Sequence, residues 1–243
     1  MKRRILLSIG SLLVLCASIQ AQSVIVTPKK TVYKRPRPVS QYKKTFTITY
    51  PKIKAATPEL SRKIESAISY ETILNLDVRE ELNEVQWLEE ADYTVDYNQR
   101  GILVITLSMN GSAAYPDGSS QTVVIDIKNG NRITADAAFD NASGLVELVR
   151  KKQRVEIKAA IEEIKKDPDM GGSDPSDLFS EKSFSMNDVD HFALNANGIT
   201  FIYDYEFPHV IEALEPEGRY AFTWKEIANF IKPSGPLARS VSK

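Results

Sequence analysis

Between Thr122 and Phe139 the chain reads TVVIDIKNGNRITADAAF, and this stretch limits the fold more tightly than its neighbours do. Val123, Ile125 and Ile127 share one face of an extended segment, while Asp126 and Lys128 share the other. Asn129-Gly130 then supplies a reversal, because glycine enters positive φ without steric cost. Arg132-Ile133-Thr134 resumes the extended pattern, and Phe139 closes the unit ahead of a long helix. A strand that turns straight back on itself implies an antiparallel sheet. The stretch is scaffold and carries no reactive group.

The rest of the chain fits around that hairpin. Lys43–Tyr50 alternates Phe46, Ile48 and Tyr50 with threonines, which marks the first strand of a domain. Thr57-Pro58 starts a helix with Leu60, Ile64, Ala67 and Ile68 on its apolar face. A second helical start falls at Asp77, with Glu80 three residues on. Asp92–Asn98 and Ile102–Met109 form a hairpin around Gln99-Arg100-Gly101. The nearly all-apolar run Ile102–Leu107 reads as a central strand covered on both faces. Asn110–Ser120 is rich in turn formers and reads as a loop. The longest helix spans about Ser143–Lys166. A second hairpin joins His191–Leu194 to Ile199–Tyr205, and Arg219–Phe222 is the last strand. Thr223 and Glu226 then cap a short helix. The expected fold is α+β: a mainly antiparallel sheet with helices packed on one face, in a single domain.

The two ends read differently. Met1–Ala21 has the charged start Lys2-Arg3-Arg4 and an apolar run, Ile5–Ile19, that is short for a membrane span. This is a signal peptide, which places the mature protein in the periplasm or outside the cell with no transmembrane span. An uncleaved anchor and lipid attachment at Cys16 are the alternatives. Residues 22–42 hold Pro28, Pro36 and Pro38 among basic residues, and the expectation is an extended linker. The domain then runs 43–232, followed by a loose polar tail, 233–243.

Charge is distributed unevenly. The formal net charge is −1. Yet Gln22–Lys44 carries seven basic residues and no acidic one, and Thr45–Lys243 carries 21 basic against 32 acidic residues, a net of −11. An acidic body argues against nucleic acid as a partner. Cys16 is the single cysteine, so neither a disulfide nor a cysteine metal site is expected. His191 and His209 are far apart, and no metal or cofactor is expected. The loop Asp167–Ser183 places Gly172 at the sixth position of a calcium-loop count. Gly171 and Leu178 then stand where ligands are needed, which argues against calcium.

Two segments resemble a known family. VIDIKNGNRITADAAF is similar to its D-x-x-T-G-K-x-I-T-L-x-D-L-F segment, with Asp126, Gly130, Ile133, Thr134 and Phe139 in matching places. Gly198–Ile231 repeats its order of hairpin, aromatic strand ending Tyr205-Glu206, last strand and short capped helix. The family is the extracytoplasmic domain of unknown function found in the anti-sigma factor RsiV and beside the deacetylase domain of PdaC. The resemblance covers about Lys43–Lys232, with Tyr115 where a histidine is common in the family. It implies an exported α+β module, which in RsiV is the lysozyme-sensing part.

No catalytic residues stand out. Tyr115, Tyr203, Tyr205 and Trp224 are an aromatic set suited to a sugar or a protein loop. Glu206 and His209 are the one carboxylate–imidazole pairing available as a base. The sequence therefore points to an exported envelope module that binds or senses, with a lysozyme-like protein or peptidoglycan as partner. The alternatives are an envelope hydrolase using His209 and Glu206, or a structural envelope protein.

Overall fold

The computed structural model describes residues 23–112, 116–166 and 174–241. The leader-like stretch and Cys16, the residue Tyr115 and the calcium-count segment 167–173 lie outside them. The larger sheet has six strands: β1 (Ile25–Lys34), β2 (Thr45–Lys54), β3 (Leu88–Gln99), β4 (Ile102–Ser112), β5 (Pro116–Asp126) and β6 (Asn131–Arg132). They lie in the order β1-β2-β3-β4-β5-β6, antiparallel except where β2 meets β3 over Thr47–Ile48 and Glu90–Ala91. Three strands, β7 (Phe192–Leu194), β8 (Gly198–Ile202) and β9 (Arg219–Thr223), form a smaller antiparallel sheet.

Alternation along β4 decides how the layers stack. Leu103, Ile105, Leu107 and Met109 point to one face, where α1 (Pro58–Ala67), α2 (Tyr70–Leu74) and α3 (Val78–Asn83) cover them. Ile64 and Ile68 are fully buried in that layer, and Thr57 caps α1 through Leu60 N as its sequence implies. Ile102 and Val104 point the other way, and with Val124 they meet the small sheet and the long helix α5 (Ala142–Ile164). The α+β class and the mostly antiparallel sheet stand as expected. The second face carries an added layer, the small sheet with α5.

The expected turn at Asn129-Gly130 is wider than two residues. Asp126 pairs with Asn131, so four residues make the reversal. The Asp126 carboxylate accepts from Lys128 N and its carbonyl from Gly130 N, with Gly130 at φ +73°. The α4 turn (Ala135–Ala138) and the buried Phe139 follow, and Phe139 bridges to Ile231.

Both ends depart from expectation. The linker expected over 22–42 is not a tether through most of its described part, because Ile25–Lys34 is a full edge strand paired along β2. Pro28 stands opposite Pro51, a non-hydrogen-bonded position where neither missing N–H is needed. Tyr33 stacks on Phe46 at 5.0 Å between centroids. Arg35 is fully buried and reaches Glu81 Oε2 (3.2 Å) and the carbonyls of Lys43 and Leu88. Nor is the chain from 233 loose up to residue 241. Leu237 is fully buried, and α7 (Ala238–Val241) brings Arg239 to Asp126 and to the Gly101 carbonyl.

Candidate functional site

The small sheet covers only one end of the β3–β5 face. Past Val104 the same row of β4 continues as Thr106, Ser108 and Asn110, none of them in a core cluster. Their cross-strand partners are Thr94, Asp92 and Glu90 on β3, and Thr122, Ser120 and Gly118 on β5. Thr47 of β2 lies beside Glu90. The result is an open, flat, polar face about four strands wide, with Glu90, Asp92, Thr94, Asp96 and Ser120 exposed.

The acid at the end of this face nearest the small sheet is placed by a bulge. Val95 pairs with Ile105 and Tyr97 with Val104, which leaves Asp96 as the extra residue. A bulge turns its side chain out of strict alternation. Asp96 then accepts from Thr94 Oγ1 (3.1 Å) on one oxygen and from Thr106 Oγ1 (2.6 Å) on the other. Thr106 in turn shares a hydrogen bond with Thr122 (2.8 Å). A hydroxyl chain across three strands therefore fixes the direction of this carboxylate. The face offers fixed negative charge and hydroxyl groups to a flat or convex partner. Among its described residues there is no arrangement of nucleophile and base. Among the described residues no cluster of three or more His, Cys, Asp or Glu suits a metal.

The residues singled out by sequence lie elsewhere. Tyr205 is fully buried, and its hydroxyl meets Glu156 Oε2 (3.0 Å) and Tyr220 (2.8 Å). Burial, aided by the Glu156 carboxylate, pushes both phenols well above the usual tyrosine range. Glu156 spends its other oxygen on Gly218 N, and Glu215 accepts from Tyr205 N and Phe207 N. This is a satisfied structural network tying α5 to the 203–220 segment. Tyr203 packs edge-on against Tyr205 at 4.9 Å. Glu206 is exposed at φ +50°, 3.9 Å from Lys182. His209 opens a single 3-10 segment, His209–Leu214, and its side chain is outside the described set, like all of Tyr115. Trp224 is half-buried and donates to the Ala196 carbonyl.

The aromatic set does not form one platform. Tyr203 N bonds Gly218 O at one end of the small sheet, whereas Trp224 N bonds Asn197 O at the other. The intervening five-residue strand β8 separates them by roughly 17 Å at ~3.3 Å per residue. A second aromatic site lies in the helical layer, where grooves of about 560 and 300 Å³ meet at Tyr50, Ser69 and Tyr70. Tyr70 is almost wholly buried there and donates to the Thr49 carbonyl, so its ring is committed to the core.

The sequence reading missed the acids of β3. Their signal was present: Thr106, Ser108 and Asn110 interrupt the apolar run on one parity only. That interruption marks where the cover ends.

The arrangement defines an α+β protein with one long sheet, covered fully on its helical face and partly on the other. Two solved DUF3298 family proteins are similar in fold. One, from Bacteroides fragilis, is 14% identical, with 92% of this chain and 98% of that one covered and a TM-score of 0.56. The other, from Pseudomonas aeruginosa, is 15% identical, with 87% and 95% covered and a TM-score of 0.55. At such identities the likeness concerns the fold alone. No family model matches the sequence, and no curated protein matches it either.

Proposed function

We propose that the chain is an exported envelope module that binds a cationic protein of the muramidase type across the open face of β3–β5. The observation that carries this reading is the fixed carboxylate Asp96, set with Glu90 and Asp92 on a flat solvent-facing sheet. Acidic rows on an exposed face steer a basic partner toward it and fix its orientation. The leader-like Met1–Ala21 supports export, and the RsiV- and PdaC-like segment Asp126–Phe139 supports a sensing role at the envelope. A hydrolase built on Glu206 and His209 gains no support from the exposed, loosely paired Glu206.

The test is retention of lysozyme by the immobilised chain at low and high salt. Retention is expected at low salt, weakening as salt rises, and falling sharply in Asp92→Asn/Asp96→Asn. Absence of retention at every salt removes the muramidase reading. Co-sedimentation with purified peptidoglycan that ignores both salt and the double variant redirects it to a glycan.

A further inference from the structure

The edge strand β1 carries a feature that the acidic face does not explain. Lys29, Lys30 and Lys34 of β1, Arg37 and Lys44 of the following connection, and Lys54 opposite Ile25 are all exposed. None makes a side-chain ion pair among the described residues, whereas the neighbouring Lys43 and Lys52 are paired with Glu89 and Glu65. Two large apolar side chains protrude from the same strand: Ile25 is 57% exposed and Val32 63%. Val32 lies between Lys30 and Lys34 on one face.

Lysine and proline on an edge strand commonly guard against edge-to-edge pairing. That role accounts for Pro28 and for the lysines of β1. It does not account for exposed isoleucine and valine among them, which invite association. Nor does it account for Arg37 and Lys44, which lie off the strand. Cations set around protruding apolar side chains are what an anionic bilayer surface recognises. The charges lie over the headgroups, the aliphatic stems of lysine lie along the boundary, and the apolar tips enter it. A soluble phosphate polymer would satisfy the charges and leave Ile25 and Val32 in water. The chain's charge is also polarised, because Thr45–Lys243 is net −11.

We propose that the β1 edge, with Lys30, Val32 and Lys34 on one side of the strand and Lys29 on the other, is a docking surface for an anionic phospholipid bilayer. Docking this edge holds the protein at the membrane, with the β3–β5 face beginning one strand beyond the contact, because Val32 stands opposite Thr47 and Thr47 lies beside Glu90.

The experiment is co-sedimentation of the chain from Gln22 onward, which holds every described residue, with lipid vesicles and no muramidase present. Vesicles of phosphatidylglycerol mixed with phosphatidylcholine are compared with phosphatidylcholine alone, at low and high salt. Binding is expected on the anionic vesicles only. Lys29→Glu/Lys30→Glu/Lys34→Glu should lower the partition by at least 100-fold, taking roughly fivefold for each cation lost near the surface. Lys151→Glu/Lys158→Glu, exposed on α5, should bind as the parent does. Ile25→Ser/Val32→Ser should lose the part of binding that survives high salt. Circular dichroism melts confirm that each variant is folded. Equal partition of the parent and the triple variant overturns the proposal. So does unchanged high-salt binding of Ile25→Ser/Val32→Ser alongside full competition by soluble polyphosphate, which assigns the edge to free phosphate. Because lysozyme is absent, these outcomes are independent of the muramidase reading.

Discussion

Glu156 accepts from both Tyr205 and Tyr220 in a setting where the two phenols are almost wholly buried. Both phenols are raised above their ordinary range, chiefly by burial. A raised folded-state pKa means that folding favours the neutral phenol. The stabilisation is then complete below the unfolded tyrosine value of about 10 and declines as pH rises past it. Tyr220→Phe removes one donor to a charged acceptor and should cost about 1.5–3 kcal/mol at neutral pH. It should also flatten the loss of stability in alkali. Urea titrations of parent and variant at neutral pH and above pH ~10 check both effects, the second resting on the phenol's own titration. Parallel alkaline losses in the two proteins would contradict this role for Tyr220. Gly218 completes the network at φ +61°, and a Cβ built there would lie 1.9 Å from the Tyr203 carbonyl oxygen. Gly218→Ala should therefore destabilise by more than about 1 kcal/mol, read as a lower urea midpoint with an unchanged slope.

At the scale of elements, the C-terminal turn acts as a latch on the β3–β4 turn. Arg100 at φ +51° and Gly101 at φ +73° form that two-residue reversal, the mirror-image geometry that strand twist favours. Arg239 reaches Gly101 O and Asp126 Oδ1, and Arg100 Nη1 reaches Ser240 O. Arg239→Ala should lower stability by about 1–2 kcal/mol, a drop of roughly 2–8 °C in Tm at ~2–4 °C per kcal/mol for a chain of this length. A calorimetric melt of Arg239→Ala equal to the parent's would dismiss the latch. Neither this helix nor β1 could be read from composition. Lysine and proline favour a solvated arm in isolation, and only the partner strand with Pro51 opposite Pro28 makes β1 possible. The β3–β4 and β7–β8 hairpins, the Thr57 cap and the Thr223–Glu226 capping box were readable because each depends on local geometry alone, whereas Asn110–Ser120, expected as a loop, is largely the paired ends of β4 and β5. The buried Arg35 and the hydroxyl chain at Asp96 were not readable. Their partners Glu81 and Thr106 lie 46 and 10 residues away, and a bulge breaks the alternation that would have located Asp96.

At the scale of the whole molecule, β4 and β5 are the shared wall of two cores. Leu103, Ile105, Val123 and Ile125 pack into the helical core, while Ile102, Val104 and Val124 pack against the small sheet. Loss of either core exposes one face of the same strands, so their free energies are coupled through the sheet instead of adding as separate units. Each core also holds one tryptophan at its margin: Trp87 in the helical core and Trp224 in the other. Fluorescence of Trp224→Phe therefore reports the first core, and that of Trp87→Phe reports the second. With coupling through β4 and β5, each variant's fluorescence and far-ultraviolet circular dichroism should give coincident urea transitions, the signature of a cooperative unit. A second, conservative perturbation sharpens the test. Ile199→Val, wholly in the small-sheet core, should cost about 0.5–1.5 kcal/mol and shift the Trp87 signal as far as the Trp224 signal. If only the Trp224 transition moves, the small sheet unfolds by itself and the wall does not couple the cores.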